Sequence, residues 1–108
     1  STPKPSSAAS DVYKRQTYRL SQSYPNPFTS GGTTVDFDMP ATERISMVIL
    51  DIRGRVVRTL IDKEERFGYQ SVAWDAKNDD GDKVSSGVYF YQIRSTNFNA
   101  VGKLVFVK

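Results

Sequence analysis

The chain has 108 residues, of which 38% are hydrophobic and 12% aromatic, enough for one domain with one core and too few for two. Fifteen Lys and Arg stand against twelve Asp and Glu, and the two signs are interspersed, so nucleic-acid binding has little support. His and Cys are absent, which excludes Ser-His-Asp and Cys-His hydrolase sites, thiolate chemistry, Cys/His zinc sites and disulfide bonds.

These exclusions lead us to expect a non-catalytic domain without a cofactor or a bound metal. A pair of carboxylates is the enzymatic arrangement that composition leaves open, but such pairs usually lie in larger scaffolds with a cleft. The mean hydropathy is -0.49 and no apolar run approaches twenty residues, so no membrane-spanning helix is expected.

The N-terminal residues 1–16 are rich in Ser, Pro and Ala and have no apolar period, which predicts a disordered linker. Within them, Ser6 to Gln16 resembles the peptide obtained when sequencing-adapter DNA is translated, so this segment is either a linker or a sequence artefact. We place the domain at residues 17–108 and interpret the chain as a fragment of a longer one.

From Thr17 onward, short β-branched and aromatic runs alternate with Gly, Pro, Asn and Asp turns about every ten residues. This spacing predicts a single seven-stranded antiparallel β-sandwich of immunoglobulin-like or fibronectin-like outline. The predicted strands are Tyr18 to Tyr24, Thr33 to Met39, Ile45 to Ile52, Val56 to Ile61, Tyr69 to Trp74, Gly87 to Arg94 and Gly102 to Lys108.

The run from Ile45 to Ile52 is apolar on both faces, which favours a central strand. It leads into Asp51 to Gly54, a tight turn in which Gly54 supplies the positive φ. The next charged stretch, Asp62 to Arg66, is expected to connect two strands.

The acidic turn between the fifth and sixth strands holds the residues best suited to bind calcium, namely Asp75, Asn78, Asp79, Asp80 and Asp82. An EF-hand register around Gly81 fails, because it puts Ala76 and Gly87 where carboxylates are required. We favour a solvated turn in which Asp and Asn accept local backbone hydrogen bonds, with calcium as the alternative.

The aromatic run Tyr89, Phe90 and Tyr91 has two possible roles. An exposed platform would stack on carbohydrate, but alternation sends Tyr89 and Tyr91 to one face and Phe90 to the other. We therefore predict that Tyr89, Tyr91 and the single Trp74 lie in the core, and keep a carbohydrate-binding module as an alternative function.

Two segments near the ends of the domain are candidates for structure or recognition. The first is a rigid bend between aromatic residues, made of Tyr24, Pro25, Asn26, Pro27 and Phe28. The second is the terminal strand of Lys103, Leu104, Val105, Phe106, Val107 and Lys108. Its Lys residues can act as solvating charges, or the strand can be open to a receptor by edge pairing.

Four separated blocks of the sequence resemble the C-terminal sorting domain (type A) of cargo of the type IX secretion system. They are LSQSYPNPF (Leu20 to Phe28), DIRGRVV (Asp51 to Val57), WDAKNDDGDKVSSGVYFYQIR (Trp74 to Arg94) and KLVFVK (Lys103 to Lys108). The part from WD to SGVY is also similar to related immunoglobulin-like domains, including that of the flagellar hook-capping protein.

The resemblance implies a non-catalytic domain at the end of a larger cargo protein, exported through the periplasm by a Bacteroidota-like bacterium to the cell surface or the medium. The implied partners are an outer-membrane translocon, a sorting peptidase and the N-terminal cargo domain. The implied sorting signal consists of the terminal strand, Lys103 to Lys108, together with Gly87, Val88, Tyr89, Phe90 and Tyr91.

This sequence departs from the family pattern at two positions. Ser23 stands where Asn is common, and Gln92 where Arg or Lys is common. A structural spacer or subunit of an extracellular fibre is a further alternative, because an open terminal strand would also suit assembly.

Overall fold

A computed structural model describes residues 19–20 and 23–108, which form one antiparallel sheet of five strands. The strands are β1 (Arg19–Leu20), β2 (Thr33–Leu50), β3 (Val56–Trp74), β4 (Gly87–Arg94) and β5 (Asn99–Phe106). Strand β2 is central and pairs with β1, β3 and β4, while β5 pairs with β4. The predicted all-β antiparallel class and the central position of the Ile45 run are confirmed.

The predicted number of seven strands is wrong, because two pairs of predicted strands are continuous. Strands β2 and β3 contain 18 and 19 residues and pair along their whole length. Pro40 cannot donate to the ladder, and the register shifts there, between Met39 and Glu43. A second shift lies opposite Lys63, which has a positive φ of 54°. Two further shifts follow, between Met47 and Val48 and between Ile49 and Leu50. Irregularities of this kind, β-bulges among them, can bend a strand without ending it.

The register shift between Met39 and Glu43 divides the sheet into two halves that share one core. In the first half, the beginning of β2 pairs with β1 and with the end of β3. In the second half, the end of β2 lies between β3 and β4, and β5 pairs with β4. The inward residues of both halves belong to a single buried cluster, which includes Val35, Phe37, Met47, Ile93 and Leu104.

Aromatic contacts close this core where strands are not hydrogen-bonded to each other. The Phe28 ring lies 5.7 Å from the Trp74 ring and 5.1 Å from the Phe106 ring, between centroids. Trp74 also meets Tyr89 edge-on at 5.5 Å, which joins β3 to β4 without a backbone ladder. Trp74, Tyr89 and Tyr91 are 2%, 8% and 2% exposed, so their predicted place in the core is confirmed.

The strand and turn boundaries agree closely with several sequence predictions. Strand β4 spans Gly87–Arg94 as predicted, whereas β5 begins three residues before its predicted start, at Asn99. The turn after β2 is closed by the Gly54 N–H donating to the Asp51 carbonyl at 2.9 Å, with a φ of 82° at Gly54. The predicted linker at residues 1–16 lies outside the described residues, as do Tyr18, Ser21 and Gln22 of the first predicted strand.

Gly102 is required by a close approach between β4 and β5. It pairs with Tyr91, and a methyl group at position 102 would overlap the Tyr91 ring. Because the ring is buried and cannot swing into solvent, a larger residue would displace a core side chain.

Gly102→Ala is therefore expected to lower the free energy of unfolding by about 1–3 kcal/mol through overpacking. Gly31→Ala is the matched control, because a methyl group there meets no atom within 4 Å. Urea unfolding followed by tryptophan fluorescence measures both variants, and equal stability of the two would contradict this account of the Tyr91 contact.

Candidate functional site

The two segments implied as a sorting signal lie side by side. Gly87 pairs with Phe106, Val88 with Val105, and Tyr89 with Leu104, so β4 and β5 form one antiparallel hairpin. Tyr89, Tyr91, Leu104 and Phe106 point into the core. Of the predicted recognition residues, those with side chains on the outer face are Val88, Phe90, Lys103, Val105 and Val107.

The outer edge of β5 is covered by the bend at residues 24–28. The Asn26 side-chain amide donates to the Lys103 carbonyl at 2.9 Å, and its Oδ1 accepts the Val105 N–H at 2.9 Å. Phe28 continues the pattern, since its N–H donates to the Val105 carbonyl and its carbonyl accepts the Val107 N–H, both at 2.9 Å. These bonds replace the ones that a neighbouring strand would make.

This arrangement corrects the prediction that the terminal strand is open to edge pairing. From Lys103 to Val107 the outward backbone groups are already bonded to Asn26 and Phe28. The outer face of the strand is not covered by these bonds, and beyond Val107 the Lys108 N–H donates to the Ser86 hydroxyl at 2.9 Å.

The bend at residues 24–28 is itself held from several sides. Both of its X-Pro bonds, Tyr24–Pro25 and Asn26–Pro27, are cis. The Thr33 hydroxyl donates to the Pro25 carbonyl at 2.8 Å, and Tyr24 exchanges two backbone bonds of 2.9 Å with Thr34. The 1% exposed Phe28 ring anchors its other end in the core.

The acidic turn covers the opposite edge of the sheet in a similar way. The Asp79 N–H donates to the Val57 carbonyl at 3.0 Å, and Asp79 Oδ1 accepts the Thr59 N–H at 2.9 Å. Arg58 bonds Asp75 Oδ1 and the Lys77 carbonyl, both at 3.2 Å. The turn thus occupies the outer edge of β3.

Three side chains of the acidic turn, Asp75, Asn78 and Asp79, accept hydrogen bonds from protein donors. Asn78 Oδ1 accepts the N–H groups of Asp80 and Asp82, and Asp75 Oδ1 accepts that of Lys77. Among residues 19–20 and 23–108, no group of three or more acidic side chains is arranged to hold a metal ion. These local bonds are of the kind that the solvated-turn interpretation predicts.

A cavity of about 420 Å³ lies beside Tyr89, between the two turns that contain Asp51 and Asp79. Asp51 Oδ1 accepts the N–H groups of Arg53 and Arg55, and the Arg55 side chain bonds Oδ2. The Arg55 backbone bond, assisted by the others, lowers the pKa of Asp51, so its carboxyl group is poorly suited to donate a proton at neutral pH.

On the outer face of the first half-sheet, two exposed tyrosines share one carboxylate. The Tyr24 hydroxyl donates to Asp36 Oδ2 at 2.8 Å, and this bond, with one from Tyr69, lowers the pKa of Asp36. The bond to Asp36 in turn raises the pKa of Tyr69 to about 12. This cluster could not be predicted from the sequence, because cross-strand neighbours are known only once the register of the strands is known.

The comparisons with known proteins agree with this fold. The sequence model of the FlgD Ig-like domain matches residues 23–98. The basal-body rod modification protein FlgD of Salmonella typhimurium is 40% identical over 63 residues, which are 58% of this chain and 27% of that protein. The same protein of Salmonella typhi matches equally. The chain therefore spans about a quarter of the curated relatives it matches.

Two solved structures from Porphyromonas gingivalis share the fold. PorZ, described as an essential bacterial surface component of the type-IX secretion system, aligns with a TM-score of 0.57 and 23% identity over 84% of this chain and 11% of its own. Dimeric latent PorU aligns with a TM-score of 0.63 and 20% identity over 84% of this chain and 9% of its own. In both, the similarity covers one small part of a much longer chain.

The Asn26 bonds lead to a stability prediction. Asn26→Ala removes two hydrogen bonds from the β5 edge and is expected to lower the free energy of unfolding by about 1–3 kcal/mol. Asn97→Ala, at an exposed loop position, should change it by less than about 0.5 kcal/mol. Urea denaturation compares the midpoints of the two variants with that of the unmodified chain. An unchanged midpoint for Asn26→Ala would show that the β5 edge does not need the two Asn26 hydrogen bonds.

The Asp36 cluster leads to a pH prediction. The bond from Tyr24, with that from Tyr69, holds the pKa of the Asp36 carboxyl below its ordinary value of 3.8 in the folded chain. These bonds therefore stabilise the fold above that pH and are lost as the pH falls through the folded pKa. Between about pH 6 and about pH 3, the urea midpoint should fall less steeply for Asp36→Asn than for the unmodified chain. Asp38→Asn, at an exposed position nearby, is the control, and identical slopes for all three proteins would refute the assignment.

Proposed function

This chain belongs to the FlgD Ig-like domain family, and we propose that it acts as a non-catalytic C-terminal sorting domain that directs a larger cargo protein through type IX secretion. The observation that carries the proposal is the joining of the two implied signal segments, Gly87–Tyr91 and Lys103–Lys108, into one hairpin. The four sequence blocks that resemble sorting domains support the same function.

Recognition by the translocon would use the outer face of this hairpin. The edge of β5 is bonded to Asn26 and Phe28 from Lys103 to Val107, so pairing with an added strand there would first require their displacement. The outer face needs no such change, because Val107 is 47% exposed and Val88, Phe90 and Val105 are partly exposed. The sorting peptidase and the upstream cargo domain are further proposed partners, and the cell surface or medium is the proposed destination.

A non-catalytic role fits the chemistry of the described residues. Asp51, beside the cavity, has a lowered pKa and is bonded to Arg55, and the acidic turn is bonded to the edge of β3. Hydrolysis by a carboxylate pair would call for one acid with a raised pKa.

No helix within the described part of the chain could cross a membrane.

A structural role in a surface assembly is the second candidate. It is favoured by the 63-residue similarity to a basal-body rod modification protein, which is 40% identical over that range. In this role the domain would act as a spacer or subunit, without a translocon contact. The carbohydrate-binding alternative would need an exposed aromatic platform, which Tyr89 and Tyr91 do not provide because both are buried.

The sorting proposal is tested by fusing the 108-residue chain behind a signal peptide and a reporter in a host that carries the type IX machinery. We expect the reporter in the medium or on the surface. Deleting Lys103–Lys108 would also remove Leu104 and Phe106 from the core, so the sharper variant is Val105→Thr with Val107→Ser, which changes only outward side chains.

The double variant is expected to leave the reporter in the periplasm, with export reduced about tenfold or more, since outward apolar contacts of a recognition surface are lost. Phe67→Ser, at a 63% exposed apolar position of the first half-sheet, is the control and should export normally. Thermal melting verifies that each variant is folded. Full export of the folded double variant would overturn the assigned recognition face.

A further inference from the structure

On the outer face of the second half-sheet, apolar side chains extend beyond the β4–β5 hairpin to β2 and β3, with Gln92 and Lys103 as polar neighbours in the same rows. Val56 of β3 pairs with Leu50 of β2, Leu50 with Phe90 of β4, and Phe90 with Lys103 of β5. We call this surface, with Val48 and Val101 in the next row, the apolar face. Val56 and Val101 are 56% and 55% exposed, and the other apolar members are partly exposed.

Strand β2 shows that this apolar character is local. Its outward residues in the first half are Thr34, Asp36 and Asp38, whereas in the second half they are Ser46, Val48 and Leu50. An antiparallel sheet with one solvated face normally keeps polar residues on that face throughout. Packing in the core explains why the inward residues Ile45, Met47 and Ile49 are apolar. It does not explain why the outward residues Val48 and Leu50 are apolar.

The charged residues on the β2, β4 and β5 part of the apolar face are cations, whereas Val56 of β3 borders a cavity that is also lined by Asp51, Asp79 and Asp80. Two cations, Arg94 and Lys103, lie among the outward residues of β4 and β5, and the outward residues of β2 from Ser46 to Leu50, of β4 and of β5 include no carboxylate. A surface with this pattern complements an apolar partner surface that carries acidic side chains.

We propose that the apolar face is one continuous docking surface for a protein surface that is largely apolar and carries acidic side chains. Leu50 and Val56 belong to this docking surface together with Phe90 and Val105. This inference rests on the proposed function, because it assigns the partner to the secretion machinery. It adds β2 and β3 to the recognition surface and states the chemistry of the partner.

Two other occupants fit the face less well. A second copy docked face to face would set Arg94 and Lys103 against a face whose β2, β4 and β5 residues include no carboxylate, so these cations would gain no opposite charge there. A membrane surface gains about 1 kcal/mol for each Lys or Arg near anionic lipid, so two cations on a flat face give weak attachment. A protein surface can match both the branched side chains and the two charges.

The test places a photo-crosslinking amino acid, one position at a time, in the full chain behind its reporter in a host with the type IX machinery. Leu50 and Val56 test the new part of the face, Val105 tests the hairpin, and the 67% exposed Tyr69 is the control on the other half-sheet. Mass spectrometry identifies each adduct. We expect the first three positions to capture the same outer-membrane protein at least about fivefold more than Tyr69, as for one interface.

The outcomes separate this inference from the proposed function. Capture at Val105 but not at Leu50 or Val56 would overturn the extended face and leave the sorting role intact, whereas loss of capture at all three would overturn both. Adducts with a second copy of the chain, or with lipid, would replace the proposed partner. In the captured complex, Lys103→Glu with Arg94→Glu should reduce adduct formation about tenfold, and an unchanged yield would refute an acidic partner surface.

Discussion

The bonding of Asn26 and Phe28 to the outer edge of β5 is the constraint on which the rest of this structure depends. Four hydrogen bonds, from Lys103 to Val107, join the bend at residues 24–28 to the end of a strand almost eighty residues away. The Phe28 ring lies between Trp74 and Phe106, so the same bend also closes the core between β3 and β5. Without it, the last strand would be held by β4 alone and would present a row of unpaired backbone groups, which is a template for unwanted strand addition.

Asp79 provides the corresponding cover at the other side of the second half-sheet, where it bonds the backbone of Val57 and Thr59. In both places a short loop segment takes the position of a strand, through one Asn or Asp side chain and through backbone groups, and so covers part of an edge with few residues. With the β3 and β5 edges of this half-sheet partly covered, its outer face is the surface that we assign to the proposed recognition. That face carries the hairpin of the proposed sorting signal, and its apolar residues continue across β2 to Val56. Edge cover and face recognition are therefore parts of one arrangement.

Alternation and turn chemistry were sufficient to predict the all-β class, the inward side of β4, the place of Trp74 in the core and the turn at Asp51–Gly54. These features depend on neighbours in sequence, so a local pattern carries them. The strand number could not be predicted, because Pro40 and the charged stretch from Asp62 to Arg66 are typical strand breaks and only pairing between β2 and β3 turns them into bulges. Asn26 between two prolines was identified as part of a rigid bend, but its contact with Val105 spans 79 residues and follows from tertiary structure alone. For the same reason, the terminal strand was predicted to have an open edge that the structure covers.

The central claim is that the end of β5 is closed at its edge and available only at its face, and amide hydrogen exchange tests it most directly. If Asn26 and Phe28 hold this edge in solution, the amides of Val105 and Val107 exchange about as slowly as those of β4. Val101 lies earlier in β5, outside the part of the strand that residues 24–28 cover, so its amide exchanges at least about tenfold faster. Equal, rapid exchange at Val101, Val105 and Val107 in the folded chain would contradict the claim, because the terminal strand would then offer its edge to any partner.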